Sequence, residues 1–189
     1  MASQGSDRSA PKYDRDFLLS PAKRNELIEL WEVEKFGRDS FGDPDHVHLY
    51  GMPPKEWWGR GMRILARSCI EAVKDPFGDA IGRDVAKVVA RGPGRPAIGV
   101  VDPFAGSCNG LYAMLRHLPA AKGIGFEIQQ TVFDLTTRNI AKLNAPIDLR
   151  WSRLFGQFFR FNKWNAGTAP QSCCSFCERL REHIAQVLA

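Results

Sequence analysis

The feature that most constrains this chain is a pair of short apolar runs, each ending in an acid, one on either side of a turn built from small residues. Ala97-Ile-Gly-Val-Val-Asp102 runs into Pro103-Phe104-Ala105-Gly106-Ser107-Cys108-Asn109-Gly110, and Gly123-Ile-Gly-Phe-Glu127 follows. A strand that stops at a charge, turns through glycine and opens a helix is the arrangement of a nucleotide-type cofactor site at the carboxyl edge of a parallel sheet. The spacing predicts strands over 98–102, 123–127 and 147–151. Between them it predicts helices over 109–118, with Leu111, Tyr112 and Leu115 inward, and over 130–144, with Phe133, Thr136, Ile140 and Leu143 inward. In the second of these, Asp134, Arg138 and Lys142 form an i, i+4, i+8 ladder. Strands alternating with helices of this length imply βαβ units, hence an α/β fold with a parallel sheet. About thirty residues per repeat leaves room for only three repeats from residue 97 to the end, so the sheet reads as incomplete.

Upstream, residues 1–16 are polar and aperiodic and read as a disordered tail, and 17–96 as an N-terminal helical segment. Ser20-Pro21 marks a helix start, with Leu27, Leu30, Trp31 and Val33 apolar until Gly37. Trp58, Met62, Leu65, Cys69 and Val73 recur at steps of three and four, which predicts one helix over 55–74 with Arg60, Arg63, Arg67 and Lys74 on other faces and Pro76 stopping it. A third helix is expected over 79–90, carrying Ile81, Val85, Val88 and Val89. Gly92-Pro-Gly-Arg-Pro96 then separates this segment from the core at 97–189. After Trp151 the pattern lapses into an aromatic and basic stretch (Phe155, Phe158, Phe159, Phe161, Trp164) and a last amphipathic helix over 175–188.

Electrostatics separates the two cofactor classes that use such a turn. A dinucleotide sets its pyrophosphate on bare N–H groups at the helix start, where Asp102 would repel it, and Gly106-Ser-Cys-Asn-Gly110 lacks the G-x-G-x-x-G spacing. S-adenosylmethionine brings a sulfonium and an ammonium, which an acid beside the turn attracts, while Glu127 can accept from both ribose hydroxyls. Asp102-Pro-Phe-Ala-Gly106-Ser-Cys108-Asn109 with Gly125-Phe-Glu127 resembles motifs I and II of the class I S-adenosylmethionine-dependent methyltransferases, in the form found among DNA and RNA methylases. The resemblance covers residues 97–150. It implies a Rossmann-like core, S-adenosylmethionine as cofactor, methyl transfer to an acceptor for which nucleic acid is one class, and cofactor contacts from Asp102, Pro103, Phe104, Ala105, Gly106, Asn109 and Glu127.

The chain departs from that pattern in three places. Cys108 stands where the motif has a second glycine, so its side chain must crowd the turn or take a positive φ. No acid follows the third strand, since Asp148 lies within it and Trp151-Ser152 come next. No Asp-Pro-Pro-Tyr element follows either, and Gly51-Met-Pro-Pro-Lys55 lacks its leading polar residue and its aromatic. No catalytic residue is therefore assigned. The departures equally suit a non-catalytic or truncated methyltransferase fold acting as a binding or partner subunit.

The other chemistry-bearing residues are weaker signals. Cys173, Cys174, Cys177 and His183 make half of a zinc site, and His46 and His48 sit in a polar loop, so no metal is expected. Five cysteines at irregular spacing suit a reducing compartment, and no signal peptide or membrane-length apolar run is present, so a cytoplasmic location is expected. The formal charge of +5 is spread along the chain and permits a polyanionic partner without demanding one.

Overall fold

A computed structural model describes residues 12–90, 99–119 and 121–151. The Gly92–Pro96 breaker, residues 1–11 of the expected tail, the aromatic stretch after Trp151, the last helix and the Cys173–His183 cluster lie outside the described residues.

Three strands, β1 (Gly99–Asp102), β2 (Lys122–Glu127) and β3 (Ile147–Trp151), form a parallel sheet in the order β1-β2-β3. Val101 pairs with Ile124 and Asp102 with Gly125, which brings the acid ending β1 level with the last turn of β2. Helices α6 (Asn109–Arg116) and α7 (Gln130–Ile140) are the crossovers. Thus α/β character and the strand positions are as the sequence pattern predicts.

The N-terminal segment folds differently from its expected three helices. It contains α1 (Arg15–Leu19), α2 (Leu30–Phe41), α3 (Pro54–Gly59), α4 (Ser68–Glu71) and α5 (Asp75–Ala90). Residues 12–16 are ordered: Tyr13 is buried and its hydroxyl donates to Glu32 Oε1 at 3.1 Å, and Asp14 caps α1 through the Phe17 N–H at 3.1 Å. Ser20-Pro21 forms turns instead of a helix start. The real start is Glu29, whose N–H is taken by Glu32 Oε2 at 2.9 Å in a capping box, and the helix passes Gly37 to end at Gly42.

The expected helix over 55–74 breaks at Gly61 (φ +75°). Gly61 N–H returns to Trp58 O at 2.8 Å and Met62 N–H to Trp57 O at 3.1 Å, the two bonds of a Schellman stop. Beyond it Ile64, Leu65 and Ala66 are all buried in succession, which no single helix face allows. The chain is extended there instead, bonding Ile64 O to Ile28 N–H and Glu26 O to Ala66 N–H. With the helix gone, its basic face is gone as well. Arg60 pairs with Glu56 at 2.6 Å, Arg63 lies 3.7 Å over the Trp58 ring, Arg67 pairs with Glu71 at 2.6 Å and Lys74 is buried. Nor does Pro76 stop a helix. It occupies the second position of α5, where its missing N–H costs nothing.

Leu18, Ile28, Val33, Val47, Leu49, Trp57 and Met62 are fully enclosed in a first core, and Trp57 Nε1 donates to Val47 O at 3.1 Å. A second core lies between α5, α6 and the sheet, built on Leu111, Leu115, Leu118 and Ala121, with Val85, Ala86 and Val89 packed against it. Here α5 belongs to the sheet's covering layer. Its approach to α6 depends on Gly78 and Gly82: a Cβ at Gly82 would stand 2.9 Å from Ala113 O and 3.2 Å from Met114 Cα, both backbone atoms.

Two buried asparagines join the cores. Asn139 of α7 grips the backbone of Arg63, accepting its N–H at 3.0 Å and donating to its O at 2.8 Å. Asn109, at the start of α6, does the same for the loop carrying Tyr50 and for the approach to α5. The expected ladder on α7 does not form: Asp134 accepts from Gln130 at 2.8 Å, and Lys142, past the helix end, donates to Gly61 O at 3.0 Å. Among the described residues, no helix is long and apolar enough to cross a membrane.

Candidate functional site

The turn between β1 and α6 is held almost entirely through its own backbone. Asp102 Oδ1 accepts the Phe104 N–H at 2.9 Å, an Asx-type closure of the strand end. Ala105 N–H reaches Phe126 O on β2 at 2.9 Å. Glu127, ending β2, uses Oε2 to accept the Gly106 N–H at 3.1 Å and Oε1 to accept the Gln129 N–H at 2.7 Å. Gly106 turns with φ +49°, and its carbonyl accepts from the Thr136 hydroxyl on α7 at 2.8 Å. Ser107 O accepts from the Tyr50 hydroxyl at 2.6 Å.

Cys108 adopts φ +58°, the left-handed conformation that the sequence departure from glycine anticipates as one of two outcomes. Its side chain does not enter the open side of the turn. It is fully buried with Ala105 and Ile140, against the sheet, and a Cβ on Gly125 would lie 3.3 Å from its Sγ. Burial pushes the thiol up to about 12, and the Asp102 and Glu127 carboxylates add to the shift, so the thiolate is disfavoured at neutral pH.

A cavity of about 120 Å³ opens beside the turn. Asp102, Phe104, Ala105, Gly106 and Glu127 line it, whereas Pro103 and Asn109 do not. Phe104 is 60% exposed, with its ring at the rim. Asn109 is directed away: Oδ1 accepts the Tyr50 N–H at 2.6 Å, and Nδ2 donates to Val73 O at 2.6 Å and to Asp75 Oδ1 at 2.9 Å. Asp75 also accepts the Gly51 N–H at 2.8 Å. Gly51-Met-Pro-Pro-Lys55 therefore supplies a tight turn and the start of α3, with Pro54 at the first helical position.

The opposite wall comes from the N-terminal segment, which sequence reasoning left out of the site. Arg67, Ser68 and Glu71 face the turn from α4 and its cap. The Arg67 Nε pairs with Glu71 Oε2 at 2.6 Å, and Nη1 donates to Gln129 Oε1 at 2.7 Å, which links the start of α4 to the cap of α7. Nothing in the spacing of residues 55–74 announces this, because it depends on the chain being extended at 62–66. The described lining thus holds three carboxylates (Glu71, Asp102, Glu127) and one guanidinium.

His46 stacks on Phe41, with ring centroids 3.5 Å apart, and His48 Nδ1 lies 3.9 Å from Asp75, so the two histidines serve different neighbours. No group of three metal-ligating side chains occurs among the described residues. No family model matches the chain, and neither a curated protein nor a solved structure does.

Proposed function

We propose that the turn at 102–109 binds S-adenosylmethionine and that the chain is a methyltransferase, its acceptor unassigned, with nucleic acid the class that the motif's form favours. The observation that carries this reading is the convergence of two strand-end carboxylates, Asp102 and Glu127, on one glycine turn. They already occupy the Phe104, Gly106 and Gln129 N–H groups, and two carboxylates at the turn would repel a pyrophosphate. Each acid nonetheless keeps acceptor capacity, because a carboxylate has about four lone-pair sites. With three carboxylates to one guanidinium, the lining suits a cationic ligand.

The donor set fits the cofactor's chemistry, while the volume of about 120 Å³ falls below the roughly 300 Å³ at which small-molecule sites begin. Binding the whole cofactor therefore requires the cavity to widen. The parallel sheet order, read as 3-2-1, matches that of one half of a doubly wound sheet, which supports the reading of a Rossmann-like core. S-adenosylmethionine supplies the electrophilic methyl group. Within this chain Glu127 would take the ribose hydroxyls, Asp102 would attract the cationic methionine end, and the Gly106 backbone would let the cofactor approach closely.

Calorimetric titration with S-adenosylmethionine is the test. Saturable binding, weakened about tenfold or more by Glu127→Ala, is the expected result. Absence of binding at high micromolar cofactor would sink it. The second reading, a non-catalytic methyltransferase-like fold acting as a partner subunit, is favoured by the small cavity and the prior engagement of both acids, and it is what such a result would leave.

A further inference from the structure

A second cavity, of about 580 Å³, lies on the other side of α4, between α2 and the first turns of α5, and lies within the size range of small-molecule sites. Phe36, Phe41, Val73, Phe77 and Ile81 make its walls apolar. Within these walls stands Lys74, only 8% exposed. Its ammonium donates one hydrogen bond, to Ala72 O at 2.7 Å, and no carboxylate among the described residues lies within 4 Å of it. Among the described residues that is the one hydrogen bond the ammonium makes. Its nearest acidic neighbour in sequence, Asp75, is committed elsewhere, to Asn109, Gly51 and His48.

Other described features near the amine are unfavourable to a positive charge. Lys74 precedes the first turn of α5, and its carbonyl accepts the Phe77 and Gly78 N–H groups, which places the residue at the positive end of a sixteen-residue helix. His46 and Arg15 line the same cavity, and no Asp or Glu does among the described residues. Burial holds the amine below the ordinary lysine range, and burial together with the Lys74 charge holds His46 down as well. A buried cation is costly to keep without a partner and is readily removed by substitution, so its place in an apolar cavity calls for an anion that the described residues do not supply.

We propose that this cavity binds an apolar monocarboxylate, with its carboxylate on Lys74 and its hydrocarbon body against Phe36, Phe77 and Ile81. Apolar walls reject strongly hydrated anions such as phosphate. One ammonium matches one carboxylate, and no acid among the described lining residues repels it. The site is separate from the 102–109 turn and does not rest on the methyltransferase reading.

Isothermal titration with 2-naphthoate and with its neutral counterpart 2-naphthalenemethanol tests this on the full chain. Saturable one-to-one binding of the naphthoate is expected, with the alcohol weaker by about tenfold or more. Lys74→Met keeps the side-chain volume, should raise the urea midpoint by relieving the buried charge, and should abolish the preference for the anion. Ile81→Glu, at a half-exposed position that disturbs no core, should weaken the naphthoate about tenfold by placing a like charge in the wall. Equal affinity for acid and alcohol, or naphthoate binding unchanged in Lys74→Met, overturns the proposal. So does a chain that self-associates through this face and leaves the naphthoate unbound.

Discussion

Replacing Asn109 with alanine tests the structural assignment most directly, because the motif resemblance places this residue at a cofactor and the structure places it between two cores. The substitution orphans the Tyr50 N–H and the Val73 carbonyl and strips one donor from the Asp75 carboxylate. Each buried group left without its partner costs about 1–3 kcal/mol, the carboxylate at the upper end. Water entering the vacated space recovers part of that, so a net loss of about 3–5 kcal/mol is expected. That is a large share of a typical total of about 5–15 kcal/mol. In urea, with a slope of about 2 kcal/mol/M, the midpoint should fall by roughly 2 M. Asn109→Asp should be at least as damaging, since its second oxygen would face the Val73 carbonyl and the Asp75 carboxylate. A midpoint loss below about 0.5 M in Asn109→Ala, accompanied by weaker S-adenosylmethionine binding, would refute the reasoning and return Asn109 to the cofactor.

Gly82→Ala should destabilise by about 1–3 kcal/mol, because the backbone of α6 blocks the new Cβ and this outweighs the roughly 1 kcal/mol that alanine gains in a helix. Gly59→Ala, with open space around the new methyl, should do the reverse, and equal shifts in urea melts of the two would contradict the packing described here. Burial raises the Glu32 carboxyl, but the Glu29 N–H, Lys23 and Tyr13 lower it more, so its folded pKa lies below the ordinary glutamate range. Its contribution is then complete above the pKa of an unfolded glutamate and lost as pH falls through the folded value, and Glu32→Gln should flatten the acid limb of a stability–pH curve. Cys69 and Cys108 are buried, with thiols pushed up to about 12, and should resist a thiol reagent at neutral pH until urea unfolds the chain. Rapid labelling of all five cysteines in the native protein would contradict that burial.

The three strands and the crossover helices were legible because a buried parallel strand writes itself locally, as a short apolar run between a glycine turn and a helix period. Asp102 and Glu127 were legible for the same reason, as charges that end such runs. The α-helical periodicity of 55–74 misled because Trp58, Met62 and Leu65 satisfy a 3.6-residue repeat whether or not the backbone is helical. The Arg60-Gly61 stop and the buried Ile64-Leu65-Ala66 run were the signals against it. Pro76 was open to either reading, since proline is as much at home at the start of a helix as beyond its end.

Read alone, the sequence determined the α/β class, the strand order along the chain and the two acids beside the turn, all properties of segments under twenty residues. Only the tertiary structure decided what those acids hold, that Asn109 faces away from the turn, that Arg67 and Glu71 close it from the far side, and that Lys74 is buried with no counterion among the described residues. Each of these depends on a partner distant in sequence, 36 residues away for Asn109 and Val73 and 62 for Arg67 and Gln129. Hydrogen-bond direction and charge burial between such partners leave no periodic trace in the sequence, because they are set by how the packed elements meet.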